Sequence, residues 1–151
     1  MIRVQADDFD VGAELARLRG SRLDVGAIVS FTGTVREMND GKTLDTFELE
    51  HYPGMTEAEL ERIEAEARDR WPLLDCLVIH RFGVMAPGDN IVLVITLSSH
   101  REAAFDAAAF IMDFLKTSAP FWKKETAGGE DGRWVDARES DDDALKRWSQ
   151  G

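Results

Sequence analysis

The chain has 151 residues, 44% of them apolar and 31% charged, and carries a formal net charge of −11. That length suits one domain, residues 1–151, able to bury roughly 70% of its unfolded surface. The acidity repels phosphate polymers and anionic membranes, which argues against nucleic-acid binding and membrane attachment.

In chain order, "MIRVQA" reads as a short first strand. A helix over about 11–19 follows, with Val11, Leu15 and Leu18 on one face and Asp10 at its N-cap. "DVGAIVSFTGTVR" (24–36) reads as a long strand in which Gly26 and Gly33 mark bulges or close backbone approach. "EMNDGKT" is a polar turn and "LDTFELEHY" the returning strand. Thr56 and Glu59 form a capping box for a helix ending near Trp71, before Pro72. "DCLVIHRFG" and "NIVLVITLS" are strands joined across "MAPGD". Ser99 and Glu102 form a second capping box, opening a helix from about 100 to 116 with a core stripe of Ala104, Phe105, Ala108, Ile111 and Leu115. "TAGGEDG" (126–132) reads as a mobile loop, "RWVDAR" as a last strand and "SDDDALKRW" as a terminal helical turn. The mixture of helices, strands and hairpins predicts an α+β (mixed α/β) domain without a glycine-rich nucleotide loop.

Cys76 is the only cysteine, so no intrachain disulfide forms, and its apolar setting makes it a core residue. His51, His80 and His100 show no zinc-motif spacing, so no metal is expected, and no cofactor. The longest apolar run, "IVLVITL", is too short to cross a bilayer, and no basic leader with an apolar core opens the chain; a cytoplasmic protein is expected.

Four features bear on chemistry. His100 and Arg101 fall in the first turn of a helix, where cations oppose the dipole. Either Arg101 pairs with Glu102 or Asp106 at the surface, or the pair receives an anion. Arg36 ends a strand, and Arg138 sits among acids that it can simply neutralise. In "LKTSAPFWKKE" (115–125), Pro120 puts a bend between Lys116 and Lys123, beside Phe121 and Trp122. Either the aromatics are core and the lysines snorkel outward, or the bend gathers both ammonium groups in one pocket, where a lysine can act as base or nucleophile.

Several stretches in one order give the chain a family likeness: "FTGTVR", "LEHYPGMTE", "RWP", "IHRFG", "PGD", "SSHR", "FIMDFLKTSAPFWKKE" and "RWVDARESD". From about residue 24 to Trp148 the sequence resembles the large, catalytic subunits of molybdopterin synthases. The most specific part is "LKTSAPFWKKE" followed by "RWVDARESD". The resemblance implies a hammerhead-type α/β domain with an additional antiparallel β-sheet, dimerising at the centre of a heterotetramer. It implies a small β-grasp sulfur-carrier subunit as partner, whose Gly-Gly tail ends in a thiocarboxylate. The implied reaction is sulfur transfer to cyclic pyranopterin monophosphate, yielding molybdopterin for the molybdenum cofactor. By position it makes Lys116 and Lys123 catalytic candidates. Thr34, Val35, Arg36, His100, Arg101, Lys116, Lys123, Lys124, Glu125 and Arg138 become substrate-site candidates, with Phe31 and Met112 near the carrier tail. Cys76 lies outside these motifs, so the sulfur must come from a partner. The competing reading is a non-catalytic adaptor that docks a β-grasp protein.

Overall fold

Residue parity along two buried strands organises the molecule. The computed structural model describes residues 1–39, 41–117, 119–127, 133–135, 146, 148 and 149. Its elements are β1 (Ile2–Gln5), α1 (Val11–Arg19), β2 (Ala27–Thr34), β3 (Met38–Asn39), β4 (Lys42–His51) and α2 (Met55–Arg70). These are followed by β5 (Leu73–Arg81), β6 (Gly83–Met85), β7 (Asn90–Ser98), α3 (Arg101–Thr117), β8 (Phe121–Ala127) and β9 (Arg133–Val135). One sheet has the order β1-β5-β7-β2, with β1 parallel to β5 and the other pairs antiparallel. A second sheet, β3-β4-β8-β9 with β6 also on β4, is antiparallel throughout. An α+β domain with an additional antiparallel sheet is therefore what the chain forms.

Successive side chains of a strand point to opposite faces. On β5 and β7 the odd residues Leu77, Ile79, Leu93, Ile95 and Leu97 pack under α1 with Val11, Leu15 and Leu18. The even residues Cys76, Val78, Val92 and Val94 face α2 and α3, meeting Leu60, Ile63, Phe110, Ile111 and Leu115. Each such fully buried side chain contributes about 1.5–3 kcal/mol. Because both faces are covered, these strands read as unbroken apolar runs. A third cluster ties the sheets together: Val35, just past β2, and Ile91 of β7 meet Phe47, Leu49, Met85 and Phe121 of the second sheet. The chain passes from β5 into β6 at Gly83, whose φ of 100° suits glycine.

Several expectations hold. The Asp10 side chain accepts from the Ala13 amide at 2.9 Å and caps α1. Gly26 is a close approach, since a Cβ there would lie 2.0 Å from the Ser99 carbonyl oxygen. Gly33 stands where the β2–β7 register shifts. Cys76 is fully buried as a free thiol.

Others need correction. The long strand expected over 24–36 is shorter, Ala27–Thr34: the contact at Gly26 limits one end, and at the other the Val35 amide leaves the ladder for the Asp89 carbonyl at 2.9 Å. The returning strand β4 pairs with β3, β6 and β8 rather than with β2, so the hairpin belongs to the second sheet. The first capping box is displaced. Gly54, at a φ of 87°, is the N-cap of α2, and its amide donates to the Glu57 carboxylate. Glu59 instead pairs with Arg62 at 2.5 Å. Ser99 does not cap through its hydroxyl proton, which goes to the Asp24 carbonyl at 3.2 Å. Phe105 leaves the core stripe and is 60% exposed, while Phe110 is fully buried in its place. Thr126 and Ala127 continue β8, and Arg133–Val135 forms β9. The rest of the expected loop and most of the terminal turn lie outside the described residues.

Candidate active site

The stretch "LKTSAPFWKKE" forms the end of one element and the start of another. Near the end of α3 the Thr117 hydroxyl donates to the Asp113 carbonyl at 2.9 Å. The Ala119 amide then donates back to Phe114 at 3.2 Å, and the Phe121 amide to Ala119 at 2.8 Å, which turns the chain into β8. Thr56, buried in the first turn of α2, fixes this bend from across the domain. Its hydroxyl donates to the Pro120 carbonyl at 3.1 Å and accepts from the Tyr52 amide at 3.1 Å.

Lys116 is exposed in the last turn of α3, and Lys123 is half-buried on β8 beyond the bend. Between their elements stands His80, near the end of β5. Its ring lies 3.7 Å from that of Phe121 at an interplanar angle of 18°, a stacked pair. Nδ1 is 2.9 Å from the Arg81 carbonyl oxygen, so it carries the proton and donates. Burial is the main reason that the His80 pKa falls from 6.5 to about 4. The Arg81 bond opposes that fall, while the charges of Lys116, Lys123 and His51 add to it. Both lysines thus act on one buried imidazole, which is neutral at pH 7.

His51 of β4 completes this wall. Its ring centroid is 4.3 Å from Phe82 and 6.4 Å from Phe121, and its Nε2 is 3.7 Å from the Glu57 carboxylate. Tyr52 and Trp122 form an adjacent aromatic pair at 4.4 Å. Of the two readings of the bend, the structure carries parts of both. Phe121 packs inward, and the lysines share one neighbourhood.

The other candidates fall into two groups. Thr34, Val35 and Arg36 leave β2 at the lysine end of the first sheet, because Thr34 pairs with Asn90 and His80 with Val92. Val35 is buried in the cluster that includes Phe121, while Thr34 and Arg36 are exposed. His100 and Arg101 lie at the opposite end, beside Ser98 and Gly26. Fifteen residue steps separate Arg101 from Lys116, about 22 Å along α3 at 1.5 Å per residue. Within one chain, therefore, Arg101 and Lys116 stand at opposite ends of α3. Arg101 forms no ion pair with Glu102 or Asp106 among the described residues. Phe31 is 41% exposed on the edge strand β2, and Met112 is half-buried on α3. Lys124 and Glu125 continue β8, although their side chains lie outside the description, and Arg138 lies outside the described residues.

Three residues escaped the sequence reading: Thr56 as an anchor of the bend, and His51 and His80 as walls. His80 was recoverable in principle, being a polar residue in phase with inward-facing Cys76 and Val78. Among the described residues no cluster of His, Cys, Asp and Glu could hold a metal ion.

An α+β domain that gathers lysines from a helix end and a neighbouring strand, around a neutral buried histidine, has the makings of an enzyme for an anionic substrate. Comparison with known proteins gives the family. The model of the MoaE protein family matches residues 4–118. A molybdopterin synthase catalytic subunit of Mesorhizobium japonicum is 57% identical over 148 residues, 97% of this chain and 92% of that protein. Among solved structures, the molybdopterin biosynthesis MoaE protein of Burkholderia ambifaria has a TM-score of 0.84 and 53% identity, covering 99% of this chain and 97% of that one. The fold also matches, with a TM-score of 0.72 and 18% identity over 91% of this chain and 90% of the other, a chain from a complex of subunits 1 and 2 of molybdopterin-converting factor of Helicobacter pylori. The chain belongs to the MoaE family.

Proposed function

We propose that this chain is the catalytic subunit of a molybdopterin synthase, a sulfurtransferase that converts cyclic pyranopterin monophosphate to molybdopterin with sulfur from the thiocarboxylate tail of a small β-grasp subunit. The observation that carries the reading is the convergence of Lys116 and Lys123 on His80 in a chain of net charge −11. Such a local gathering of cations suits a phosphate and an anionic tail. The chain's own sulfur fits no relay: Cys76 is fully buried, and burial pushes its thiol pKa up to about 12. A donor partner is therefore required.

In this reading the thiocarboxylate sulfur attacks the pterin side chain as the cyclic phosphate opens. Water then frees the carrier, and a second carrier repeats the transfer. Lys116 serves as base or covalent anchor, and Lys123 as proton donor or phosphate partner. Thr34 to Arg36 flank the same end of the fold. His100 and Arg101, with Lys124, Glu125 and Arg138, are proposed to complete the substrate site in a homodimer at the centre of a heterotetramer, and Phe31 and Met112 to meet the carrier tail. The described residues contain no helix long and apolar enough to cross a membrane, and a cytoplasmic location agrees with the proposed chemistry. The test combines purified protein, thiocarboxylated small subunit and cyclic pyranopterin monophosphate, with detection of the dithiolene product. Tight carrier binding without product would favour the adaptor reading instead.

A further inference from the structure

His80 takes up space that a core hydrophobe would fill. It follows Cys76 and Val78 on the face of β5 that lies beneath α2 and α3, and it is only 7% exposed. A buried imidazole is costly there unless its ring nitrogens are satisfied by the protein or reached by solvent or substrate. Nδ1 donates to the Arg81 carbonyl, which fixes the tautomer and leaves Nε2 as a bare acceptor on the distal edge of the ring. Nε2 makes no hydrogen bond among the described residues. The Phe121 ring stacked on the imidazole prevents it from swinging away.

The groups facing this ring are cationic or neutral. Lys116 comes from α3, Lys123 from β8 and His51 from β4, the last with Glu57 of α2 at 3.7 Å. Among these charges Lys116 acts on His80 most strongly. Lys116 is exposed, so its long side chain has room to turn inward when a substrate fills the site. Contacts of this kind are commonly unmade in the resting enzyme and tighten when substrate is bound.

We propose that His80 is a positioning residue of the sulfur-transfer site, its Nε2 accepting a hydrogen bond from the Lys116 side-chain nitrogen and aiming that group at the substrate. This rests on the assignment of Lys116 to the reaction. No proton is transferred to His80, whose neutral state at working pH makes it an acceptor that adds no third positive charge. Accepting from an ammonium stabilises the protonated lysine. Loss of the acceptor therefore lowers the pH at which that lysine titrates in turnover.

Three variants test the role in the complete complex with thiocarboxylated small subunit. His80→Phe preserves ring stacking on Phe121 and removes the acceptor. His80→Asn keeps a short donor towards Arg81 and lacks the distal acceptor. His80→Gln places an amide oxygen near the position of Nε2. The readouts are kcat and KM for the pterin phosphate across pH, carrier affinity by calorimetry, and Tm. The expected result is a kcat at least about tenfold lower for Phe and Asn, with carrier affinity unchanged. Their pH–rate profiles should be displaced to lower pH, and Gln should recover much of both losses. If Phe does not fold, Asn against Gln decides. A folded acceptor-free variant with the kcat and pH profile of the wild type would overturn the role, as would a Gln variant no better than Asn. If the wild type itself makes no product, the proposed function falls and the role of His80 with it. A wild type that turns over beside unaffected variants refutes only the role of His80.

Discussion

Removing the Thr56 hydroxyl should loosen the active-site bend from a position outside the pocket. Thr56 is fully buried, and its one hydroxyl serves two backbone groups: it accepts from the Tyr52 amide and donates to the Pro120 carbonyl, both at 3.1 Å. Valine has nearly the same shape and leaves both backbone groups without this partner. A buried polar group stripped of its partner costs about 1–3 kcal/mol, so the pair costs at most about 2–6 kcal/mol. For a domain of this size each kcal/mol lowers Tm by about 2–4 °C, which gives a fall of roughly 4–24 °C for Thr56→Val. Thr56→Ser retains the hydroxyl and should lose much less. Because Pro120 stands between Lys116 and Lys123, the Val variant should also turn over more slowly at temperatures where it remains folded. Differential scanning calorimetry beside steady-state kinetics checks both effects. A Val variant with Tm within about 2 °C of the wild type and normal kcat would show that this link holds neither the fold nor the bend.

Lys116→Ala should nearly abolish product formation while costing no more than about 0.5 kcal/mol of stability, since the side chain is exposed; near-normal turnover would remove Lys116 from the mechanism. Cys76→Ala leaves a small cavity in the core and should lower Tm modestly, yet turn over with supplied thiocarboxylate; a folded variant that lost sulfur transfer would mean that this chain does contribute sulfur. Glu14 is 6% exposed, and its hydrogen bond from Arg3 holds its carboxyl below the ordinary value of 4.5, helped by Arg17. A lowered carboxylate pKa stabilises the fold above that ordinary value and stops doing so as pH falls through the folded-state pKa, so Glu14→Gln should be less stable near pH 7 and lose less on acidification below about pH 5. Parallel stability curves for Glu14→Gln and the wild type would refute the pairing.

What the sequence made legible was local and periodic. Asp10 with an i, i+4, i+7 apolar face marks α1 correctly, and Gly26 signals a close approach, since a Cβ there would lie 2.0 Å from the Ser99 carbonyl oxygen. What it hid depends on contacts between distant residues. Thr56 and Glu59 have the spacing of a capping box, but Gly54 tolerates a φ of 87° and starts the helix earlier, which frees Thr56 to hold Pro120 64 residues away. No pattern within one segment encodes that bond. The strand β4 follows β2 closely in sequence, yet pairs in the other sheet, because its partner β8 lies beyond α3. His80 was hidden differently: both faces of β5 are buried, so only its phase with Cys76 and Val78, and no polar alternation, marks it as facing inward. The lysine bend was legible as an anomaly of charge, whereas its histidine wall was not.

The separation of cations along α3 leads to the most demanding expectation. A rigid helix holds Arg101 about 22 Å from Lys116 along its axis, at opposite ends of one protomer's α3. If both serve the reaction, a shared site combining Lys116 of one protomer with Arg101 of another brings them to one substrate, as a symmetric dimer with isologous contacts allows. Consider Lys116→Ala and Arg101→Ala, each inactive or strongly impaired as a pure dimer. In a mixed dimer one site carries both substitutions and the other carries neither, so one site is whole. Random reassortment makes about half of the dimers mixed, and recovered activity should reach about a quarter of the wild-type value. Mixing must include a dissociation step, by dilution or mild denaturant, and a mass-spectrometric count of mixed dimers gives the expected figure for each preparation. Single-variant kinetics separate the parts: Arg101→Ala should raise KM for the pterin phosphate more than it weakens carrier docking, because a cation at a helix N-terminus suits a phosphate. Mixed dimers formed in the counted proportion but no more active than their parents would refute the shared site. Arg101 would then belong to some other property of the chain, and the pocket would consist of the lysine end alone.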